Sequence, residues 1–244
     1  MRHNIIHYNY YFVAMPIYQL IPDIPLFPPT EEAEADGLLA VGGDLTKERL
    51  LTAYRQGIFP WYEVGQPILW WCPNPRLVLF PEELKISRSL RKVLRKQEFK
   101  ISFDSSFENV IKACANVRTE QGKGTWIIPE MQQAYTELHQ EGYAHSVESW
   151  LNGELVGGLY GISLGQCFFG ESMFSTVSDS SKAALVALAG FSKQVGIKII
   201  DCQMTTQHLL SLGAREIDRQ SFLRKLNQYL EKPDIKGSWY GRAN

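Results

Sequence analysis

The chain has 244 residues, 45% apolar and 21% charged, enough to bury one large core or two modest ones. That composition excludes disorder, collagen and coiled coil. Twenty-five Lys/Arg against 26 Asp/Glu leave a formal charge of −1, so any polyanionic partner must be held by a local patch rather than a global field.

The four cysteines, Cys72, Cys114, Cys167 and Cys202, are at least 35 residues apart and form no CxxC pair. They read as reduced thiols rather than a disulfide scaffold or zinc site. No run approaches the roughly 18–20 apolar residues of a spanning helix, and residues 1–15 lack the pattern of a secretory signal. A cytoplasmic protein is expected, with Met15 as a second candidate start.

In chain order, residues 1–30 read as irregular because Pro16, Pro22, Pro25, Pro28 and Pro29 interrupt them. Thr46 or Asp44 can cap a helix over about 47–56, ended by Gly57. Three tryptophans, Trp61, Trp70 and Trp71, then fall among prolines that argue against regular structure up to Arg76. A strand is expected at 77–80, a helix from Lys85, a strand at 101–104, and helices at 106–117 and 129–140. Residues 145–150, 154–162 and 166–174 alternate or run apolar between glycine turns, the pattern of an antiparallel meander. A helix at 180–195, a strand at 197–203 and a helix at 221–231 complete an α+β chain whose boundary falls near residue 75.

Several stretches carry candidate chemistry. Gly161-Ile162-Ser163-Leu164-Gly165 matches a G-x-S-x-G elbow, with Asp201 and His208 following in hydrolase order. The elbow requires strand, sharp turn and helix, whereas Ser163 lies between two strand-like segments and so belongs to a hairpin turn. The five histidines make no HExxH, and His139 and His145 have no neighbouring carboxylate pattern. No Walker A or GxGxxG sequence is present, so no metal, ATP or NAD is expected. From Lys85 to Lys96 six of twelve residues are basic and none acidic, with Arg88, Arg91, Lys92 and Arg95 on one helical face. Such a ridge suits a phosphate backbone. Glu171 stands in a strand crowded by Phe168, Phe169, Met173 and Phe174, where a carboxylate must find an amine or backbone donors. Asp201 ends an apolar strand, and Gln203, two residues on, is expected on the same face.

Taken together, ten collinear stretches resemble the bacterial leucyl/phenylalanyl-tRNA–protein transferases. They include Gly37–Leu45, Gly57–Trp61, Ile68–Arg76, Ile86–Ser89, Gly124–Ile127, Ala144–Glu148, Leu155–Gly161, Gly170–Ser175, Ser181–Ala183 and Ile200–Gln203. The resemblance implies a small N-terminal domain, residues 1–75, followed by a GNAT-like catalytic domain, residues 76–244, with a mostly antiparallel mixed sheet flanked by helices. The sequence has no Q/R-x-x-G-x-G/A loop for acyl-CoA, in agreement with a family whose donor is an aminoacyl-tRNA.

By resemblance the enzyme moves leucine, and also methionine or phenylalanine, onto proteins beginning with Arg or Lys, marking them for N-end-rule degradation. No cofactor or membrane is implied, and a monomer is expected. The matching positions put Asp201 and Gln203 at the reaction centre, Asp201 taking the proton directly or through Gln203, with Glu171 near the reacting amine or the donor's own amino group. Trp61 and Trp126 match positions that stack on the 3′ adenosine. Leu159, Phe168, Met173, Leu185 and Leu188 match the donor side-chain pocket, Leu159 replacing a Met of other members. The ridge Arg88, Arg91, Lys92 and Arg95 becomes a candidate for acceptor-stem phosphates, assisted by Lys182 at a helix start. The rivals are a peptidoglycan-precursor aminoacyltransferase, a non-catalytic tRNA-binding module and a serine hydrolase using Ser163.

Overall fold

The computed structural model describes residues 17–120 and 125–241. Among these residues the chain runs β1 (Tyr18–Leu20), β2 (Leu38–Gly42), α1 (Lys47–Arg55), β3 (Phe59–Pro60), β4 (Leu69–Trp71), β5 (Arg76–Leu79), α2 (Arg88–Lys96), β6 (Lys100–Phe103), α3 (Phe107–Glu120) and α4 (Pro129–Gln140). It continues through β7 (Ala144–Leu151), β8 (Glu154–Leu164), β9 (Cys167–Ser175), α5 (Ser180–Val195), β10 (Ile199–Gln203), α6 (Gln207–Ser211), β11 (Arg215–Ile217) and α7 (Arg219–Leu230).

A small sheet has the order β1-β2-β4-β3, and a seven-stranded sheet the order β11-β5-β10-β9-β8-β7-β6. The large sheet is antiparallel except where β9 meets β10 in parallel, and α5 makes the crossover between them. This is the α+β, mostly antiparallel mixed sheet with flanking helices that the sequence leads one to expect. Alternation along β9 distributes the core: Phe169 joins the cluster with α1, α3 and α4, while Phe168 joins the one with α5. With both faces covered, β7 and β8 are buried along most of their length rather than at every second residue. The first cluster also holds Trp70, Phe59 and Tyr54, so the small sheet packs into the same core as the large one.

Helix ends follow local chemistry. Ser87 accepts from Leu90 N at 3.1 Å to start α2, and Asp218 from Ser221 N at 2.8 Å to start α7. At α1 the N-cap is Thr46, but its hydroxyl is taken by Asp44, which also accepts the Thr46 amide.

The structure corrects several expectations. The Pro- and Trp-rich stretch before residue 76 is not irregular throughout: β3 and β4 pair there, with Pro60 ending the two-residue β3. The Pro-rich start contributes β1, paired in parallel with β2, and residues 1–16 of that stretch lie outside the described residues. Ser163 is not in the hairpin turn but within β8, paired with Phe168 and fully buried. His139 and His145 do have a carboxylate, brought from Asp104, 35 and 41 positions upstream. His145 Nδ1 lies 2.9 Å from Asp104 Oδ2, and its ring stacks on Trp239 at 3.8 Å. The Trp239 amide donates to the same Asp104 oxygen at 2.7 Å, fastening the C-terminal segment behind the sheet.

Two register shifts interrupt the large sheet. Between β8 and β9, Tyr160 faces Ser172 and Gly161 faces Gly170, leaving Glu171 as the extra residue of a bulge. Between β5 and β10, Val78 faces Asp201 and Leu77 faces Gln203, leaving Cys202 extra. Glycine is required at 161, because a Cβ there would lie 2.1 Å from the Phe169 carbonyl oxygen and 2.7 Å from the Phe168 ring. Gly161→Ala is expected to cost about 1–3 kcal/mol through overpacking. Thermal unfolding should show this as a loss of several degrees in Tm.

Candidate functional site

The bulge on β9 turns Glu171 inward among groups that share no sequence neighbourhood. Tyr54 Oη of α1 donates to Glu171 Oε1 at 2.7 Å, Tyr135 Oη of α4 to Oε2 at 2.9 Å, and Gln203 Nε2 of β10 to Oε1 at 2.8 Å. The two tyrosine hydroxyls also lie within hydrogen-bond distance of each other, so their two protons are shared among three contacts. The expected partner was an amine or backbone; tyrosine hydroxyls and an amide take that place. Burial raises the Glu171 carboxyl to about 7, and the Asp201 charge adds to the rise against the three donors, which lower it. Burial and the Glu171 charge push both tyrosine hydroxyls well above their ordinary value, so they stay protonated donors.

Asp201 and Gln203 do not share a face. Asp201 is fully buried and lies outside the adjoining cavity, whereas Ile200, Cys202 and Gln203 line it. The bulge at Cys202 and a left-handed Gln203 backbone (φ +61°) break the alternation and swing the amide toward Glu171. Asp201 instead accepts Arg76 Nε at 2.8 Å and Nη2 at 2.6 Å, and its Oδ1 also accepts the Gln203 amide at 3.0 Å. The hydrolase triad is therefore not assembled. Asp201 is held by Arg76, and Ser163 is buried without access.

Glu171 and Gln203 lie on a cavity of 490 Å³. Phe59, Pro60, Trp61 and Trp126 are part of its lining. So are Leu159, Phe168, Met173, Leu185, Leu188, Ile200 and Leu209, which belong to or pack on the core cluster with α5. The structure thus brings together Trp61, Trp126, Leu159, Phe168, Met173, Leu185, Leu188, Glu171 and Gln203, and leaves Asp201 behind the wall. Trp61 is 39% exposed, and its carbonyl accepts from Trp71 Nε1 at 2.7 Å.

The ridge residues Arg88, Arg91, Lys92 and Arg95 lie exposed on α2 around a shallow groove of 370 Å³, and make no ion pair among the described residues. Lys182 does: its Nζ is 2.7 Å from Asp179 Oδ1 beside the start of α5.

Sequence reasoning missed Tyr54, Tyr135 and the role of Arg76. Both tyrosines sit on the buried stripes of their helices, with Leu50 and Ala53 or Met131, Ala134 and Leu138, and so read as core. It also missed His208 as a cavity residue. Half-buried on α6, its imidazole is lowered by burial and by the nearby Lys182 charge.

The buried Glu171 carboxyl, raised to about 7 beside a mostly apolar cavity on an α+β scaffold, makes this the candidate site. The family description leucyl/phenylalanyl-tRNA protein transferase matches residues 78–227, and its N-terminal domain matches 43–74. The chain is 57% identical over 229 residues, 94% of its length and 97% of the relative's, to the leucyl/phenylalanyl-tRNA–protein transferase of Syntrophobacter fumaroxidans. It is 58% identical over 223 residues, 91% of its length and 94% of the relative's, to that of Nitrosomonas eutropha. Among solved structures, an aminoglycoside acetyltransferase, meta-AAC0020 from an uncultured soil sample, aligns with a TM-score of 0.39 and 14% identity, covering 54% of this chain and 88% of that one. The chain belongs to the leucyl/phenylalanyl-tRNA–protein transferase family and is a transferase. No helix among the described residues is long and apolar enough to cross a membrane.

Because folding raises the Glu171 carboxyl from its ordinary value of 4.5 to about 7, the native state holds this proton more tightly than the unfolded chain does. The stability it contributes is fully present below about pH 4.5 and is lost as pH rises through 7. Glu171→Gln should remove that slope. In urea unfolding, the variant should gain about 3 kcal/mol relative to the parent between pH 4.5 and pH 8.

Proposed function

We propose that the protein transfers leucine, and also methionine or phenylalanine, from aminoacyl-tRNA to the α-amino group of proteins beginning with Arg or Lys, marking them for N-end-rule degradation. The observation that carries this reading is one cavity lined by aromatic rings, by apolar side chains and by the hydrogen-bonded pair Glu171 and Gln203. The rings of Trp61 and Trp126 suit a stacked terminal adenosine, and the apolar side chains suit an unbranched-at-Cβ donor side chain. The donor ester would then lie across the polar pair.

The donor is already activated, so the reaction needs alignment, removal of a proton and stabilisation of an oxyanion. The acceptor's α-amino group, with an ordinary pKa near 7.7–8.0, is partly neutral at physiological pH. Its nitrogen attacks the ester carbonyl carbon, the bond from that carbon to the ribose oxygen breaks, and that oxygen takes up a proton. Gln203, fixed through its backbone by Asp201, orients the amine with its amide oxygen. Glu171, titrating near 7, receives the amine's proton. Asp201 thus acts through Gln203 rather than directly, in keeping with its burial behind the cavity wall.

Arg88, Arg91, Lys92 and Arg95 hold acceptor-stem phosphates, and Lys182 assists at the start of α5. The reaction needs no cofactor and proceeds on a monomer in the cytoplasm. The separate matches at 43–74 and 78–227 support a division near residue 75 into a small N-terminal domain, 1–75, and a catalytic domain, 76–244.

The deciding experiment is single-turnover transfer from leucyl-tRNA to peptides beginning with Arg, Lys or Ala. Transfer to the first two and not the third is expected. Binding of charged tRNA with no discharge to any peptide would make the protein a tRNA-binding module. Met173→Ala should weaken leucine transfer about 10-fold or more, as loss of an apolar wall is worth about 1–3 kcal/mol, and leave uncharged tRNA binding nearly intact. Replacing Arg88, Arg91 and Arg95 together by Gln should weaken tRNA binding and flatten the slope of log affinity against log salt by about 3. An unchanged slope would return α2 to the role of a solvated surface.

A further inference from the structure

We infer that Arg76 is a positioning residue of the transfer site, holding Asp201 and through it the turned Gln203 backbone that sets the amide against Glu171. Arg76 is 1% exposed, and its side chain reaches the end of β10 from the first residue of β5, 125 positions away in the chain. Its guanidinium lies 4.8 Å from the Phe59 ring centre and 4.6 Å from that of Phe222, so rings from β3 and α7 both pack against it. From there Nε and Nη2 meet both Asp201 oxygens in the fork geometry that only arginine offers.

The Asp201 oxygen that accepts Nε also accepts the Gln203 amide, at a residue whose φ of +61° is costly for a side chain with a Cβ. An apolar partner pair would fill the same space at no electrostatic cost. A buried ion pair anchoring a left-handed residue beside the reacting groups is therefore a device for geometry, not for stability. No part of Arg76 lines the cavity, so it acts on the reaction only through Asp201. The inference rests on the transfer reading for its kinetic test and on the hydrogen-bond geometry alone for its spectroscopic one.

The experiment compares Arg76→Lys, Arg76→Met, Asp201→Asn and the double variant Arg76→Met/Asp201→Asn in the full chain. Arg76→Met strands a buried charge and should lower Tm by about 10 °C. The double variant should regain most of that loss. Its kcat, from saturating leucyl-tRNA to an Arg-initiated peptide, should nevertheless stay about 10²-fold below the parent, with KM for the donor changed less than threefold. The two single losses in rate should combine far less than multiplicatively. Arg76→Lys, keeping the charge but not the fork, should fall between parent and Arg76→Met.

A double variant with parental Tm and parental kcat would reduce the pair to a structural contact. So would rate losses that multiply. Independently of any substrate, the Glu171 carboxyl band, identified by infrared difference against Glu171→Gln, reports the coupling. The charged and titratable groups facing Glu171 are Tyr54 from α1, Tyr135 from α4 and Asp201 from β10. Arg76→Met should move the titration midpoint upward, because the Gln203 side chain, a donor that lowers it, is no longer held against Glu171, and Arg76→Lys should move it less. A midpoint unmoved in both overturns the inference. Absence of transfer by the parent alone, with the midpoint moving as expected, overturns the reaction assigned and not the role of Arg76.

Discussion

A carboxylate buried in an apolar cleft must be given donors or its burial costs several kcal/mol. Glu171 obtains them from three separate elements: Tyr54 on α1, Tyr135 on α4 and Gln203 on β10. That requirement brings the helix beside the small sheet, the helix covering the large sheet and the strand next to β9 onto one point. The site is thus not placed on a finished scaffold; satisfying one charge is part of what joins the two sheets. Three hydrogen bonds lower the carboxyl and burial raises it further, so it comes to rest near neutrality, where a proton can move either way.

The strand irregularities are the instrument of this arrangement. A regular β9 would send Glu171 to the face that its register dictates, and a regular β10 would put Gln203 beside Asp201 on one side. One extra residue on each strand re-aims both side chains. Behind them the wall is rigid. Phe168, which lines the cavity, packs against Trp239, itself stacked on His145 and tied to Asp104. Ahead of them the cavity takes its lining from both core clusters, Phe59 and Trp126 from one and Leu159, Leu185 and Leu188 from the other.

What the sequence by itself determined is what depends on local chemistry. Apolar alternation between glycine turns marked β7, β8 and β9. Helical periodicity marked α2, α4 and α5, and the basic spacing within α2 marked the exposed ridge, because these patterns arise from neighbours three, four or two positions apart. Collinear motifs rich in tryptophan carried the family and, with it, nine of the twenty residues that line the cavity. What only the tertiary structure decided is every contact made by residues distant in the chain. Tyr54 and Tyr135 look like core on their own helices, and nothing near Arg76 announces a partner 125 positions away. Asp201 and Gln203, two apart on a strand, were assigned one face by the period of two, yet a bulge and a left-handed backbone separate them. Bulges come from the pairing of two strands, and a buried charge is answered by whatever donors the fold brings within about 3 Å. Neither is encoded in the stretch of sequence where it appears.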